Sequence, residues 1–312
     1  MKINFWGVRG SLPTPATNSR IKSKISAIVE QITPEDLVNA ESREKFMAGL
    51  SPWLFGTVGG NTPCVTIDYG ESECIIFDCG SGLRELGFHQ TNHKTKTQTY
   101  DVFLSHFHWD HIHGLPFFAP GYNPSVAVNF YSPFPDIEKI LKGQMAQPYF
   151  PVNMDAMSCK KTFNHLTKEI ELGNRTVKFK KMNHPGGSYA YCVIENGKRV
   201  IYSTDTELSS DDFIQNEENT EFFKNADLII IDCQYTLGEA IEKYNWGHSA
   251  FSMAVDFVAN WGIKHMVMFH HDPAYDDYKL YSLLQSAKLY LERLNIKGIE
   301  LTLAYEGLEI IV

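Results

Sequence analysis

Leu104-Ser105-His106-Phe107-His108-Trp109-Asp110-His111-Ile112-His113 is the stretch that decides how this chain is read. It grows out of Val102-Phe103-Leu104, an apolar run with the look of a strand. Just past it, four metal-type side chains fall within six residues: His106, His108, Asp110 and His111. His106 and His108 are two apart, so in extended chain both imidazoles point the same way. Asp110 and His111 follow a bend and can point elsewhere. The spacing suits two neighbouring metal ions, because neutral imidazole with carboxylate is the usual donor set for zinc-like cations. The plain alternative, a His-rich surface loop, is argued against by that mixed donor set.

Working outward, the same pattern returns. A strand over 177–182 ends at Asn183-His184-Pro185-Gly186-Gly187. A hairpin, 189–195 with 198–203, turns across Asn196-Gly197 and delivers Thr204-Asp205-Thr206. The fully apolar run 228–231 reads as a buried central strand and ends in Asp232. Gly247-His248-Ser249 precedes a helix over 250–261, with Ser249 as its expected cap. A strand over 265–269 ends in His270-His271. His106, His184, Asp205 and His270 thus each follow an apolar strand, where parallel-sheet folds place their chemistry.

The remaining chain frames these positions. Residues 2–6 read as a strand entering the turn Gly7-Val8-Arg9-Gly10-Ser11, with Arg9 expected to be structural. Residues 17–55 break the strand-rich pattern. They read as an insertion with amphipathic helices over 21–32 and 34–50, the second capped by Thr33. Residues 64–68 and 74–78 pair as strands around Tyr69-Gly70-Glu71-Ser72. Asp78 either orients a ligand histidine or caps a helix over 83–86. The polar segment 88–99 reads as a loop whose His89 and His93 are not ligands. Helices are expected over 137–144 and 276–294, and closing strands over 300–303 and 308–312. The aromatic loop 148–151 is a candidate pocket wall.

Composition narrows the options. The chain of 312 residues fits one domain, 1–312, carrying the 17–55 insertion. Its apolar content of 43% allows a large core, and its net charge of -9 gives no general attraction for nucleic acid or an anionic membrane. Lys178, Lys180 and Lys181 alternate with apolar residues and read as the solvated face of a strand. The six cysteines form no CxxC pair and read as buried reduced thiols of a cytoplasmic protein. The N-terminus lacks the form of a signal peptide, and no apolar run is long enough to span a bilayer.

His106-x-His108-x-Asp110-His111, followed in order by His184, Asp205 and His270, resembles the metallo-β-lactamase superfamily, and Asp78 fits that family's first-motif aspartate. The resemblance implies an α/β fold, a four-layer αββα sandwich with a dinuclear site at its edge. It implies that His106, His108 and His184 take one metal and that Asp110, His111 and His270 take the other. Asp205 would bridge them, as would a water or hydroxide; His271 is the rival to His270. The ions expected are two divalent cations, zinc first, with manganese or iron as alternatives. Within the family the chain is most similar to the phosphodiesterase branch: ribonuclease Z, the accessory phosphodiesterase of phosphonate breakdown and the cyclic-nucleotide phosphodiesterases. Gly247-His248-Ser249 is similar to the Gly-His-Ser segment of ribonuclease Z. By that likeness His248 assists at the scissile phosphate, while Asp110 orients the attacking oxygen. The sequence lacks the Gly/Pro/Lys-rich arm with which ribonuclease Z holds tRNA. The expected partner is therefore a small anionic phosphodiester such as a cyclic nucleotide, not a long nucleic acid or a membrane, and the family implies a homodimer. The rivals are a thioester, lactone or other acyl hydrolase and a ribonuclease Z-like RNA endonuclease. Di-iron redox members tend to carry glutamate where this chain has His108.

Overall fold

The computed structural model describes residues 1–69, 72–93 and 97–312; the expected turn at Gly70-Glu71 and positions 94–96 of the expected polar loop lie outside them. Strands β1 (Lys2–Gly7), β2 (Cys64–Tyr69), β3 (Glu73–Phe77), β4 (Thr99–Phe103), β5 (Ala127–Ser132) and β6 (Lys160–His165) lie side by side in that order. Strands β7 (Ile170–Leu172), β8 (Arg175–Met182), β9 (Ser188–Glu195), β10 (Lys198–Ser203), β11 (Leu228–Asp232), β12 (His265–Phe269) and β13 (Glu300–Leu303) form a second sheet. β14 (Glu309–Ile311) returns to flank β1 in the first. Both sheets are mixed: β14 to β3 and β7 to β10 run antiparallel, β3 to β6 and β10 to β13 parallel.

Strand alternation assigns each side chain to a layer. In β11, Leu228 and Ile230 pack between the sheets, whereas Ile229 and Ile231 face helices Phe251–Trp261 and Asp277–Arg293. With both faces covered, the run has no polar position to spare. β3 divides likewise: Ile75 and Phe77 point between the sheets, Cys74 and Ile76 toward helices Gly82–Asn92 and Ile137–Gln144. Each such residue, fully buried, contributes about 1.5–3 kcal/mol relative to exposure. The result is the expected four-layer αββα sandwich. The Asn196-Gly197 hairpin also forms, both residues having positive φ (51° and 76°) as a tight turn between twisted strands requires. All six cysteines are buried and unpaired. Among the described residues no helix is long and apolar enough to cross a membrane.

Several local expectations are corrected. The first helix of the 17–55 segment is Asn18–Val29, capped by Thr17. The single helix expected over 34–50 is a 3-10 turn, Pro34–Leu37, and a separate helix, Ala40–Gly49. Thr33 and Asp36 cap the turn reciprocally, and extended Asn39 restarts the chain by accepting from Ser42 N–H. The polar segment after 88 is in part helical, because Gly82–Asn92 runs on through His89 before its solvent-facing residues end. Helix Phe251–Trp261 is capped at Ala250 instead of Ser249, whose hydroxyl is committed to Thr206 O and Leu208 N–H. Lys178 and Lys180 are half-buried and paired with Glu169, Glu221 and Glu218, so only Lys181 keeps the solvated character expected of all three. Phe150 packs on Phe117 away from the strand ends, so the aromatic loop does not wall the site.

Candidate metal centre

The site is assembled where β3, β4, β8, β10, β11 and β12 run out. Asp78 follows β3 in the left-handed conformation (φ 59°), as do Asp205 after β10 (46°) and His270 after β12 (58°). Such backbone costs of order 1–3 kcal/mol per residue and persists only where the surroundings impose it. Gly10 shows how closely they do so: a Cβ there would lie 2.5 Å from the His270 ring.

Asp78 does not cap a helix; Gly82–Asn92 starts later, with Ser81 at the cap position. Its buried carboxylate instead accepts from Ser105 N–H (2.8 Å), Ser105 Oγ (2.7 Å), His111 Nδ1 (2.8 Å) and Tyr202 Oη (2.8 Å). Ser105 Oγ, its proton given to Asp78, accepts in turn from His106 Nδ1 (3.0 Å). His184 Nδ1 donates to Gly247 O (2.9 Å). With the outer nitrogens used as donors, the inner Nε2 atoms of His106, His111 and His184 carry lone pairs. Asp78→Ala would strand four buried donors. It is expected to cost about 3 kcal/mol or more of stability and to weaken divalent-metal binding roughly 10–100-fold, measured by thermal unfolding and metal titration. Unchanged metal affinity in a folded variant would contradict the orienting role.

The inner atoms converge. Asp205 Oδ1 lies 3.7 Å from both His106 Nε2 and His184 Nε2, and His184 Nε2 lies 3.2 Å from His108 Nδ1. Asp205 Oδ2 lies 3.1 Å from His111 Nε2 and 3.2 Å from His270 Nε2. Asp110 Oδ2 lies 3.2 and 3.3 Å from the same two nitrogens and is steadied by Ser11 N–H at 2.8 Å. One group therefore comprises His106, His108, His184 and Asp205, and another Asp110, His111 and His270, the donor atoms of each lying within 4.8 Å of one another. All seven residues singled out in the sequence come together. Donors bound at 2.0–2.1 Å to a tetrahedral cation stand about 3.4 Å apart, close to these separations. Moreover, the Nε2 atoms of His106 and His111 are buried without a hydrogen-bond partner among the described residues. An unsatisfied buried acceptor costs about 1–3 kcal/mol, and a cation removes that cost. The residues fit divalent metal.

Electrostatics agree. Burial, then His111, hold His106 well below the usual imidazole range, as its neutral ligand form requires. Burial likewise lowers His108 and His184 against the pull of Asp205. Burial opposes charge on Asp110 and Asp205, yet the imidazoles around them keep both carboxyls ionised, well below their ordinary range. His111 moves the other way: Asp110, Asp205 and Asp78 together overcome its burial and raise it. These carboxylates thus favour a positive charge at this point, which a metal ion would supply in place of the proton and leave His111 Nε2 free as a ligand.

At the lip of the cluster stands His248, whose Nδ1 is 2.6 Å from Asp232 Oδ2. Burial disfavours its imidazolium, but Asp232, with help from Asp205 and Asp110, outweighs burial and raises its pKa. Asp232 was not singled out in the sequence; the available signal was its place at the end of an apolar strand. His248 forms a further close group with Asp205 and His270. The other candidates lie apart. His271 turns onto Ala304 O (2.8 Å), and burial lowers it to about 3. His113 binds Trp109 O. His89 and His93 stack on each other beside Trp6. Arg9 is buried against Gly59, Asp272 and Tyr275 carbonyls and is structural, as expected.

A family model described as "Beta-lactamase superfamily domain" matches residues 73–271, from β3 to the residue after His270. The chain belongs to the beta-lactamase superfamily. It is a hydrolase of the metallo-β-lactamase fold with residues suited to metal binding. Among curated relatives, a protein named Ribonuclease Z from Prochlorococcus marinus (strain NATL1A) is 23% identical over 260 residues, covering 65% of this chain and 79% of that one. The metallo-beta-lactamase fold protein YhfI from Bacillus subtilis superposes with a TM-score of 0.65 at 19% identity, covering 99% of this chain and 98% of its own. A diphosphatase of the PhnP family gives 0.63 at 16% identity, with 100% and 97% covered. This member of the superfamily thus shares the sandwich with both, and sequence over most of its length with the first relative.

Proposed function

We propose that this superfamily member is a phosphodiesterase whose seven clustered residues would hold two divalent cations, zinc first, with Asp205 offering an oxygen to each. His106, His108 and His184 would hold one ion and Asp110, His111 and His270 the other. When bound, the ions would acidify a water and polarise a phosphoryl oxygen. We read residues 1–312 as one domain throughout. The observation that carries the proposal is the placement of His248, its Nδ1 2.6 Å from Asp232 and its ring beside the donor cluster: cleaving a P–O bond needs a proton for the departing oxygen. The relatives named Ribonuclease Z support the same bond type.

In this reading Asp110, held by Ser11 N–H, orients the attacking oxygen, whose proton the acidifying effect of the ions would release to solvent. The water oxygen bonds to phosphorus in line with the leaving oxygen. As that P–O bond breaks, His248 Nε2 gives its proton to the leaving oxygen, and Asp232 steadies the imidazolium through Nδ1. Two divalent ions outweigh the two carboxylates between them, so the cleft favours an anionic substrate. The paired state of Lys178 and Lys180 supports a small substrate such as a cyclic nucleotide over a long polyanion. The ribonuclease Z relatives favour a second reading, RNA as the phosphodiester.

The decisive assay sets bis(4-nitrophenyl) phosphate, a cyclic nucleotide and an unprocessed tRNA against 4-nitrophenyl acetate and a lactone. Turnover of a phosphodiester, abolished by chelation and restored by zinc or manganese, is the expected result. Turnover confined to the acyl substrates would overturn the proposal.

A further inference from the structure

The sequence places one tryptophan inside the main motif and another just before Gly247-His248. Both indoles stand in the open at the mouth of one cleft. That cleft, about 390 Å³, is lined by His108, Asp110, His184, Asp205 and His248 together with Trp109 and Trp246. Its size is within the range of small-molecule sites. Trp109 is 82% exposed and Trp246 is 62% exposed. Exposure alone means little, since Tyr149 and Tyr278 are also exposed; these lie outside the cleft.

Local structure explains why the two indoles face outward. Trp109 opens the single helical turn Trp109–Ile112, which buries Asp110, His111 and Ile112 and leaves its first residue outside. Trp246 precedes Gly247, which has a φ of 88° and no Cβ; a Cβ there would meet the His184 ring at 2.1 Å. Glu207 accepts from Asn245 N–H (3.0 Å) and Gly247 N–H (2.8 Å), fixing the backbone on both sides of Trp246. Trp6 and Trp261 give their indole N–H groups to Thr66 and Asp212. Those of Trp109 and Trp246 meet no acceptor among the described residues. Lys243 Nζ lies 5.9 Å from the Trp246 ring centroid, but both rings remain largely exposed. Two large apolar rings on anchored backbone beside the reacting groups form a surface prepared for a flat partner.

We propose that Trp109 and Trp246 grip a planar ring of the substrate, so that the preferred phosphodiester carries a nucleobase. The inference rests on the phosphodiesterase reading and narrows it to nucleotides. Ring stacking tolerates any base, because every base offers a π-face, so the preference is for a base and not for its identity.

The test compares thymidine 5′-(4-nitrophenyl phosphate) with methyl 4-nitrophenyl phosphate, which share a leaving group and differ in the nucleoside. The expected kcat/KM preference for the nucleotide is about 100-fold, and Trp109→Ala or Trp246→Ala each cuts that ratio about tenfold. Trp109→Phe and Trp246→Phe restore most of it. In a separate binding measurement by tryptophan fluorescence, AMP quenches and binds at least about tenfold more tightly than ribose 5-phosphate. If both diesters are hydrolysed with equal kcat/KM, the grip is overturned while the phosphodiesterase reading stands. If no phosphodiester is hydrolysed, that reading falls. Equal binding of AMP and ribose 5-phosphate overturns the grip independently of turnover.

Discussion

Asp205→Ala is expected to leave the chain with one bound divalent ion or fewer and to lower phosphodiester turnover by roughly 10³-fold or more, the several kcal/mol of charge stabilisation that bound metal supplies. The reason is geometric. Its two oxygens face different groups, Oδ1 toward His106 and His184 and Oδ2 toward His111 and His270. Among the described residues no other carboxylate spans both. Asp110 reaches His111 and His270 and lies in the second group alone. Asp205 also fixes its own aim, because Thr204 Oγ1 donates to Oδ2 at 2.7 Å. Metal analysis by mass spectrometry on protein of unchanged circular dichroism checks the result. Full occupancy with full activity would show that the bridge is not needed.

The second large effect concerns His248. His248→Ala should retain its metal and lose turnover by about 10²–10⁴-fold, the usual contribution of a positioned acid. Asp232→Asn should move the pH profile. The folded imidazole is raised above its ordinary value, so its protonated form persists as pH increases past that value. Activity that needs this proton is present below the raised pKa and is lost as pH climbs through it. Removing the Asp232 charge lowers the pKa, and the alkaline limb of kcat/KM should shift to lower pH. A substrate whose leaving group is already acidic, such as 4-nitrophenolate, should be much less affected. An unshifted alkaline limb in a folded Asp232→Asn protein would remove His248 as the acid.

How much of this could be read from the residues alone follows from the range over which the signals act. His106, His108, Asp110 and His111 are local: a strand, a bend and a spacing of two carry the message. The layers were legible too, since β11 is apolar on both faces and the hairpin carries its own turn residues. His184, Asp205 and His270 were legible only as strand ends in the right order; their meeting depends on which strands become neighbours. Asp232 escaped because it is one acidic residue among 37, and its partner lies across a helical excursion. The split of 34–50 into two pieces hinged on Asn39, whose capping competes almost evenly with helix continuation. Ser249 has a good cap residue's chemistry, yet its hydroxyl was claimed by a loop far away in sequence. The left-handed backbone at Asp78, Asp205 and His270 had no glycine to announce it.

Asp78 follows directly on β3 of the first sheet, and Tyr202, which donates to it, belongs to the second. Through Ser105 and His111 the same carboxylate reaches both halves of the donor cluster. The packing of the two sheets and the aim of His106 and His111 are thus linked through one carboxylate. A change in inter-sheet packing just beneath the rim, at Phe77 or Tyr202 for example, acts like a tuning screw on the metal cradle. Substitutions in that interior layer are therefore expected to change divalent-cation affinity as well as stability.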